Sequence, residues 1–291
     1  MSISIVVPTK NRPSDVKETL DTLLNQSLLP SEVIFADDST DLATKKLVQK
    51  YKSAYSSKNI ELRHVWDSGS LARARTLGGL ISRGEIIVYM DDDLIIRRDS
   101  LEIFAKTLQR TGAMAAWGKI DFGDSHSFRL SKILEIAYYH FLFGTSKCGG
   151  GFFAIRRRVI EDKTWFDQNL SGYSLGEDKD FAFNLHKRYG PENIVQVESP
   201  VLAINKGVLI KDKKYYGYLF GNTIYFSKKW GGAVRLILAF PATLFLCIFS
   251  VISRGGRGMS SIDRREILES YLDTLRNLEH ILVGNLDQAY K

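Results

Sequence analysis

Cysteine is scarce in this chain: two in 291 residues, Cys148 and Cys247, far apart and in different contexts. That excludes a disulfide framework and points to a reducing compartment. Neither cysteine has metal-ligand spacing, and the five histidines, His64, His126, His140, His186 and His280, show no His-Glu-x-x-His or comparable pattern, so a zinc site is not expected. The opening MSISIVVPTKNRP lacks the basic start and long apolar core of a signal peptide and reads as a strand, so the catalytic part is expected in the cytoplasm. Negative charge is in deficit, with 33 acidic against 40 basic residues and a net charge of +7. Such a balance suits an anionic partner, whether nucleotide, membrane surface or nucleic acid. With 44% hydrophobic and 25% charged residues the rest is ordinary, and the length suits one large α/β domain or two small ones.

The acidic residues that are present are concentrated. Glu85–Leu94, EIIVYMDDDL, is an apolar, β-branched and aromatic run that stops in three successive carboxylates, Asp91, Asp92 and Asp93. Adjacent aspartates repel one another and are poor strand formers, so they belong where a strand ends and positive charge can neutralise them. Hard divalent cations take carboxylate oxygens, whereas a solvated acidic turn explains the run equally well when it is considered alone. Ser2–Val7 is a second β-branched run, closed by Pro8; Asn11 is a candidate N-cap and Pro13 a first-turn residue for the helix that follows. Glu32–Ala36 is a strand ending in Asp37 and Asp38, Ile60–Val65 another, and amphipathic helical patterns fall between them, the last over Leu71–Ser82.

Strand–helix alternation of this kind predicts a parallel, helix-covered sheet with ligands bound beyond the carboxyl ends of its strands. Pro8–Asn11, Asp37-Asp38 and Asp91–Asp93 would then line one crevice, which a solvated turn does not explain. Such a crevice needs cations before it can hold a diphosphate. Arg73 and Arg75 in SLARARTLGG can supply fixed positive charge, with Arg75 the inward one. Gly112–Gly123 is expected to lead away from this half. Phe128–Phe143 reads as a core-covering helix or a lipid-facing surface. In KCGGGFFAIRRRVI the glycines permit a tight turn or close approach to a ligand, ahead of a strand at Phe152–Ile155. Glu177, Asp178 and Asp180 head a helix, where the dipole alone would favour acids.

After Pro200 the composition shifts. Lys206, Lys211, Lys213 and Lys214 precede YYGYLFGNTIYFSKKW, and Leu236–Ser253 then runs without a charged residue between Arg235 and Arg254. Basic and aromatic residues interleaved suit single-stranded nucleic acid or a membrane interface. The apolar run favours the membrane, as a re-entrant or interfacial segment on an anionic cytoplasmic leaflet, as a single crossing helix kinked at Pro241, or as a buried core helix. Ile262–Leu286 reads as one amphipathic helix through Ile267, Leu268, Tyr271, Leu275, Leu278 and Leu282, a packing surface or a homodimer contact.

Taken together, IVVPTKNRP, FADDSTD, ARARTLGGLISRGEIIVYMDDDL, the glycine motif and SLGEDKDF resemble the family 2 glycosyltransferases of the GT-A fold, over about two-thirds of the chain. The resemblance implies a Rossmann-like mixed α/β sheet flanked by helices, with a hydrophobic, helical, membrane-associating extension after residue 225. Residues 1–115 would form the nucleotide-sugar half and 116–225 the acceptor half. It implies that Pro8, Thr9, Asn11, Asp37, Asp38, Arg75, Asp91 and Asp92 lie on the nucleotide-sugar side, Asp92 without a specific role. Asp93, with Asp91, would hold Mg²⁺ or Mn²⁺. Gly150, Gly151 and Asp180 would lie on the acceptor side, and Asp178 would be the general base, oriented by Glu177. The stretch around Gly221-Asn222 resembles a region next to the active site of membrane-associated members. The sequence departs from the family at Lys10, where some relatives place an aromatic residue for the base, at Thr76 for asparagine, and at Asn184 for arginine. The activity implied is inverting, metal-dependent transfer from a nucleotide-diphosphate sugar to a lipid-linked or saccharide acceptor at the cytoplasmic face of the membrane. A non-catalytic nucleotide- or membrane-binding protein on the same fold is the alternative. Nucleic acid is not an expected partner, because the basic residues gather beside the apolar segment and form no recognisable nucleic-acid module.

Overall fold

The computed structural model describes residues 1–66, 69–121, 150–198, 201–207, 212–252 and 262–290. Its centre is a sheet of seven strands in which β1 (Ile3–Thr9) pairs in parallel with β2 (Glu32–Asp37) on one side and β4 (Ile86–Met90) on the other. β3 (Glu61–Trp66) extends the parallel half beyond β2. Beyond β4 the direction reverses. β8 (Phe152–Arg156) runs antiparallel to both β4 and β6 (Ala115–Trp117), and β9 (Ile194–Gln196) pairs in parallel with β6 at the far edge. A small second sheet joins β5 (Leu94–Ile96), β10 (Ala203–Asn205) and β7 (Ile120–Asp121). The stretch after Gly112, expected to lead away from the nucleotide half, carries β6, which joins the main sheet beyond β8. Its three-residue strand is too short to show a period of its own.

Alternation along the central strands divides the core. Ile3, Ile5, Val7, Ile86, Val88 and Met90 face one cluster, and Val6, Ile87 and Tyr89 face the other. The first face is covered by α1 (Pro13–Leu24), α2 (Ala43–Ser56) and α4 (Ser100–Thr111). On the second face lies α3 (Leu71–Ile81), capped by the Ser70 side chain, which accepts from the Arg73 backbone N–H at 3.3 Å. Gly78 and Gly79 let α3 settle against the sheet, since a Cβ on either would collide with Val6 or the Tyr89 hydroxyl. The short α5 (Arg158–Glu161) and the longer α6 (Glu177–Tyr189) complete this layer.

Asn11 is not the cap of α1. The N-cap is Arg12, with no side-chain bond, while Asn11 adopts a left-handed φ of 55° and its side-chain Oδ1 accepts from the Thr40 backbone N–H at 2.8 Å. The tail also differs from the single amphipathic helix expected. It breaks into α8 (Arg264–Arg276), α9 (Leu278–Leu282) and α10 (Leu286–Ala289), with interruptions at Asn277 and at Gly284, where φ is 78°.

The apolar segment belongs to α7 (Lys213–Ile252), which crosses the expected boundary after residue 225 without interruption and kinks at Gly232 (φ 63°, ψ −159°). The second limb returns along the first: Cys247 shares a cluster with Tyr216, Phe220 and Ile267, although a straight helix would put Cys247 about 45 Å from Tyr216. Ala239, Thr243 and Cys247, one turn apart, form its inward stripe. Val234, Ile237, Leu238, Leu244, Phe245, Ile248 and Ile252 lie exposed on the outside. By length and composition α7 could cross a membrane, but the kink makes it a hairpin with an apolar outer face, not a buried core helix. The Phe128–Phe143 stretch and Cys148 lie outside the described residues.

Candidate active site

The sheet topology brings the acidic ends together. β1, β2 and β4 are parallel, so Thr9, Asp37 and Met90 finish at one edge, with Thr9 and Asp37 in direct register. Because β8 is antiparallel to β4, the residues before β8 arrive at that same edge, and the Asp91 backbone N–H donates to the Gly151 carbonyl at 2.9 Å. Gly151 is required there, since a Cβ would fall on the Asp91 carboxylate.

Arg75 lies at the centre. It is 1% exposed, its Nη2 donating to Asp91 at 2.5 Å and its Nη1 to Glu177, with the rings of Phe153 and Phe166 within 6.0 and 5.7 Å of the guanidinium carbon. Burial opposes its charge, but Glu177, Asp91 and Asp178 more than reverse this and hold the guanidinium ionised. Arg73 instead points outward to the Gln168 carbonyl and Asp287. Thus α3 joins the end of β4 to the head of α6. At that head Asp178 is half-buried, accepting from the Gly150 backbone N–H and, at 2.8 Å, from that of Lys179. Glu177 is buried, and burial pushes its carboxyl up against the pull of Arg75, with Asp178 and Asp91 adding to the rise.

The three adjacent aspartates have different surroundings. Asp92 turns inward, taking the Thr9 hydroxyl at 2.6 Å and Arg12 at 3.2 Å, and burial raises its carboxyl to about 7. Asp93 stays at the mouth, 3.2 Å from Arg12 and 3.1 Å from the Asn205 amide, and its carboxyl is raised by burial and then by Asp91. Crowded, hard oxygen donors of this kind fit a divalent cation, which would relieve the repulsion between Asp91 and Asp93. Among the described residues no third histidine, cysteine or carboxylate completes a protein-only cage. Mg²⁺ or Mn²⁺ here would fill its coordination with phosphate oxygens and water, as small hard cations commonly do.

At the ends of β1 and β2 the expected residues divide between crevice and core. Pro8 is buried in the strand and the Thr9 hydroxyl is taken by Asp92, so Lys10 and Asn11 are the exposed residues of that strand end. Asp37 is fully buried. Burial pushes its carboxyl up, but bonds from His64 Nε2 (2.8 Å) and the Ser39 backbone (2.9 Å) more than reverse this. Asp38 is half-buried, with Lys10 at 2.6 Å. Asp180 is placed away from the cluster. Both of its oxygens accept from Lys229, at 2.9 and 2.8 Å, and one also from the Trp230 indole at 2.5 Å, which ties α6 to α7. Gly150 sits beside Asp178 with φ 89°. Arg12 and His64 carry roles the sequence did not mark. The proline after Arg12 drew attention to helix initiation, and a lone histidine on a strand gives no sign of its partner.

A half-parallel sheet interrupted by an antiparallel strand, with carboxylates and a buried arginine at its carboxyl edge, defines the GT-A glycosyltransferase fold. The chain superposes on Staphylococcus aureus TarS 1–349 in complex with UDP-GlcNAc at a TM-score of 0.58 and 15% identity, covering 100% of this chain and 89% of that one. It superposes on the mannosyltransferase PcManGT of Pyrobaculum calidifontis, in complex with GDP-Man and Mn²⁺, at 0.58 and 16%, covering 99% and 86%. The family model of glycosyl transferase family 2 matches residues 4–165, more than half of the chain. The chain belongs to that family and is a glycosyltransferase. Over 233 residues it is 24% identical to the GalNAc(5)-diNAcBac-PP-undecaprenol beta-1,3-glucosyltransferase of Campylobacter jejuni, 75% of this chain and 72% of that protein. Against the poly(ribitol-phosphate) beta-glucosyltransferase of Bacillus spizizenii it is 32% identical over 103 residues, and the match spans only 16% of that longer protein.

Proposed function

We propose that this chain is an inverting, metal-dependent glycosyltransferase that moves a sugar from a nucleotide diphosphate to a lipid-linked or saccharide acceptor at a membrane surface. The observation that carries the reading is Arg75, buried between Asp91 at the end of β4 and Glu177 beside Asp178. One cation thereby binds the donor edge to the helix bearing the base. Lys10, Asn11 and Asp38 hold the nucleoside. Asp178 receives the proton of the acceptor hydroxyl as its oxygen attacks the anomeric carbon and the bond to the diphosphate breaks. A single displacement inverts that carbon. Asp93 and Asp91 would hold a divalent cation, which would supply positive charge against the departing diphosphate. Arg75 keeps Glu177 and Asp91 in place, and Gly150 fixes the carboxylate of Asp178.

The acceptor assignment is supported by the relatives whose names describe undecaprenol-linked and poly(ribitol-phosphate) substrates. The membrane assignment is supported by the outward face of α7, where Ile237, Phe245 and Ile248 lie exposed on a chain of net charge +7. An amphipathic hairpin of this kind lies in the interfacial plane of an anionic leaflet. The direct test is turnover of nucleotide sugars with and without EDTA, in the wild type and in Asp93→Asn and Asp178→Asn. Loss on chelation, recovery with Mn²⁺ or Mg²⁺, and loss in both variants are expected; undiminished turnover in either variant removes its role. For the membrane, Ile237→Asp with Phe245→Asp should abolish co-flotation with phosphatidylglycerol vesicles while the chain stays folded.

A further inference from the structure

One aromatic side chain at the site is not used by this chemistry. Tyr173 lies on the short loop between Ser171 and α6, and the residue is 48% exposed although Ser171, Ser174 and Gly176 around it are buried. The loop is held in a conformation that chains rarely adopt: Gly172, Ser174 and Gly176 have φ of 52°, 51° and 89°. Left-handed backbone at a serine is retained only where its surroundings impose it. Here they do so from two sides. From α3, the Leu71 backbone N–H donates to the Gly172 carbonyl at 3.1 Å and that of Ala72 to the Ser174 hydroxyl at 3.4 Å. From α7, Asn222 donates to the Leu175 carbonyl at 2.9 Å, and the Tyr218 hydroxyl approaches Gly172 so closely that a Cβ could not be added. Asn222 is itself held by the Tyr290 hydroxyl at 2.6 Å, next to the last residue of the chain.

Such a mounting fixes where the ring stands. The loop is bonded to the start of α3 and runs directly into Glu177, the partner of Arg75, so Tyr173 stands beside the crevice, five residues ahead of the base in the sequence. An exposed aromatic face held rigidly beside a sugar-transfer site offers what a pyranose ring binds best, a flat apolar surface for its C–H groups. We propose that Tyr173 is the platform on which the acceptor's pyranose ring stacks, and that Tyr218, Asn222 and Tyr290 are positioning residues that hold its loop. The acceptor is favoured over the donor sugar because the loop belongs to the segment that delivers Asp178, and its ring is open to solvent. The inference rests on the transferase reading above, and its test does not depend on turnover.

Saturation-transfer NMR of the full chain with a panel of p-nitrophenyl pyranosides reads ring contact directly. The wild type should saturate the pyranose protons, Tyr173→Ala should lose at least about four-fifths of that signal, and Tyr173→Phe should keep it. Equal saturation with Tyr173→Ala, or none with the wild type, overturns the assignment. In turnover assays Tyr173→Ala should raise the acceptor KM about tenfold, with the donor KM within about twofold of the wild type. A rise in the donor KM instead assigns the ring to the donor and also overturns the proposal. Tyr290→Phe removes only the hydroxyl that holds Asn222 and should raise the acceptor KM about threefold; no change removes the positioning role. Failure of the transferase reading itself would appear separately, as no release of nucleotide diphosphate by the wild type.

Discussion

The two sides of the crevice are built differently. On the side proposed for the nucleotide, the candidate residues follow directly from strand ends, and the sheet ladder fixes them: Thr9 pairs with Asp37, and Asp91 hangs on the Gly151 carbonyl. On the side proposed for the acceptor, Tyr173 lies on and Asp178 follows a loop with three left-handed residues, mounted on side chains from α7 and the tail. The lesson is that one side is built from backbone common to the fold. The other uses parts contributed from more than forty residues further along the chain, which can vary independently. Arg75 touches both.

Breaking that link should have the largest effect. Arg75→Met leaves Glu177 and Asp91 without their shared cation in a buried setting, which costs about 3–5 kcal/mol of stability in denaturant unfolding. Turnover should be lost together with it. Asp178→Asn is expected to sharpen the contrast. The amide oxygen can still accept from Gly150, so unfolding should be unchanged while kcat falls on the order of 10²–10⁴-fold. Wild-type kcat would return the helix head to a purely structural role.

The smallest effect belongs to the edge furthest from the acceptor. Asp37 is held below its ordinary value of 3.8: burial pushes it up, and the bonds from His64 and Ser39 outweigh burial. Its stabilisation is therefore present above that ordinary value and is lost as pH falls through the lower folded value. Asp37→Asn should cost about 1–2 kcal/mol at pH 7. The gap to the wild type should close in acid, as followed by denaturant midpoints across pH; a gap that persists unchanged below pH 3 would mean that the bonds do not depend on the charge.

Most strands of the nucleotide half could be read from the sequence because β-branched runs bounded by breakers carry their own signal. The sequence could not say which member of each acidic cluster faces the crevice. Asp37 and Asp38 are neighbours on a strand end, and alternation sends one to the core. Asp178 and Asp180 share the first turn of α6, and the partners that claim Asp180, Lys229 and Trp230, lie 49 and 50 residues away. No local pattern carries that information. The tail shows the reverse error. Its apolar spacing continues across Asn277 and Gly284, so periodicity joined what backbone conformation separates.

The hydrogen bond from Asp91 to Gly151 has a consequence for how such a chain can diversify. Neighbouring strands stand about 4.8 Å apart whatever their side chains, so the backbone itself gauges the gap between the donor-side carboxylate and the acceptor-side glycines. Side chains along β4 and β8 can then change without resetting that gauge. A descendant could exchange side chains around the crevice with the backbone spacing between its two sides inherited unchanged.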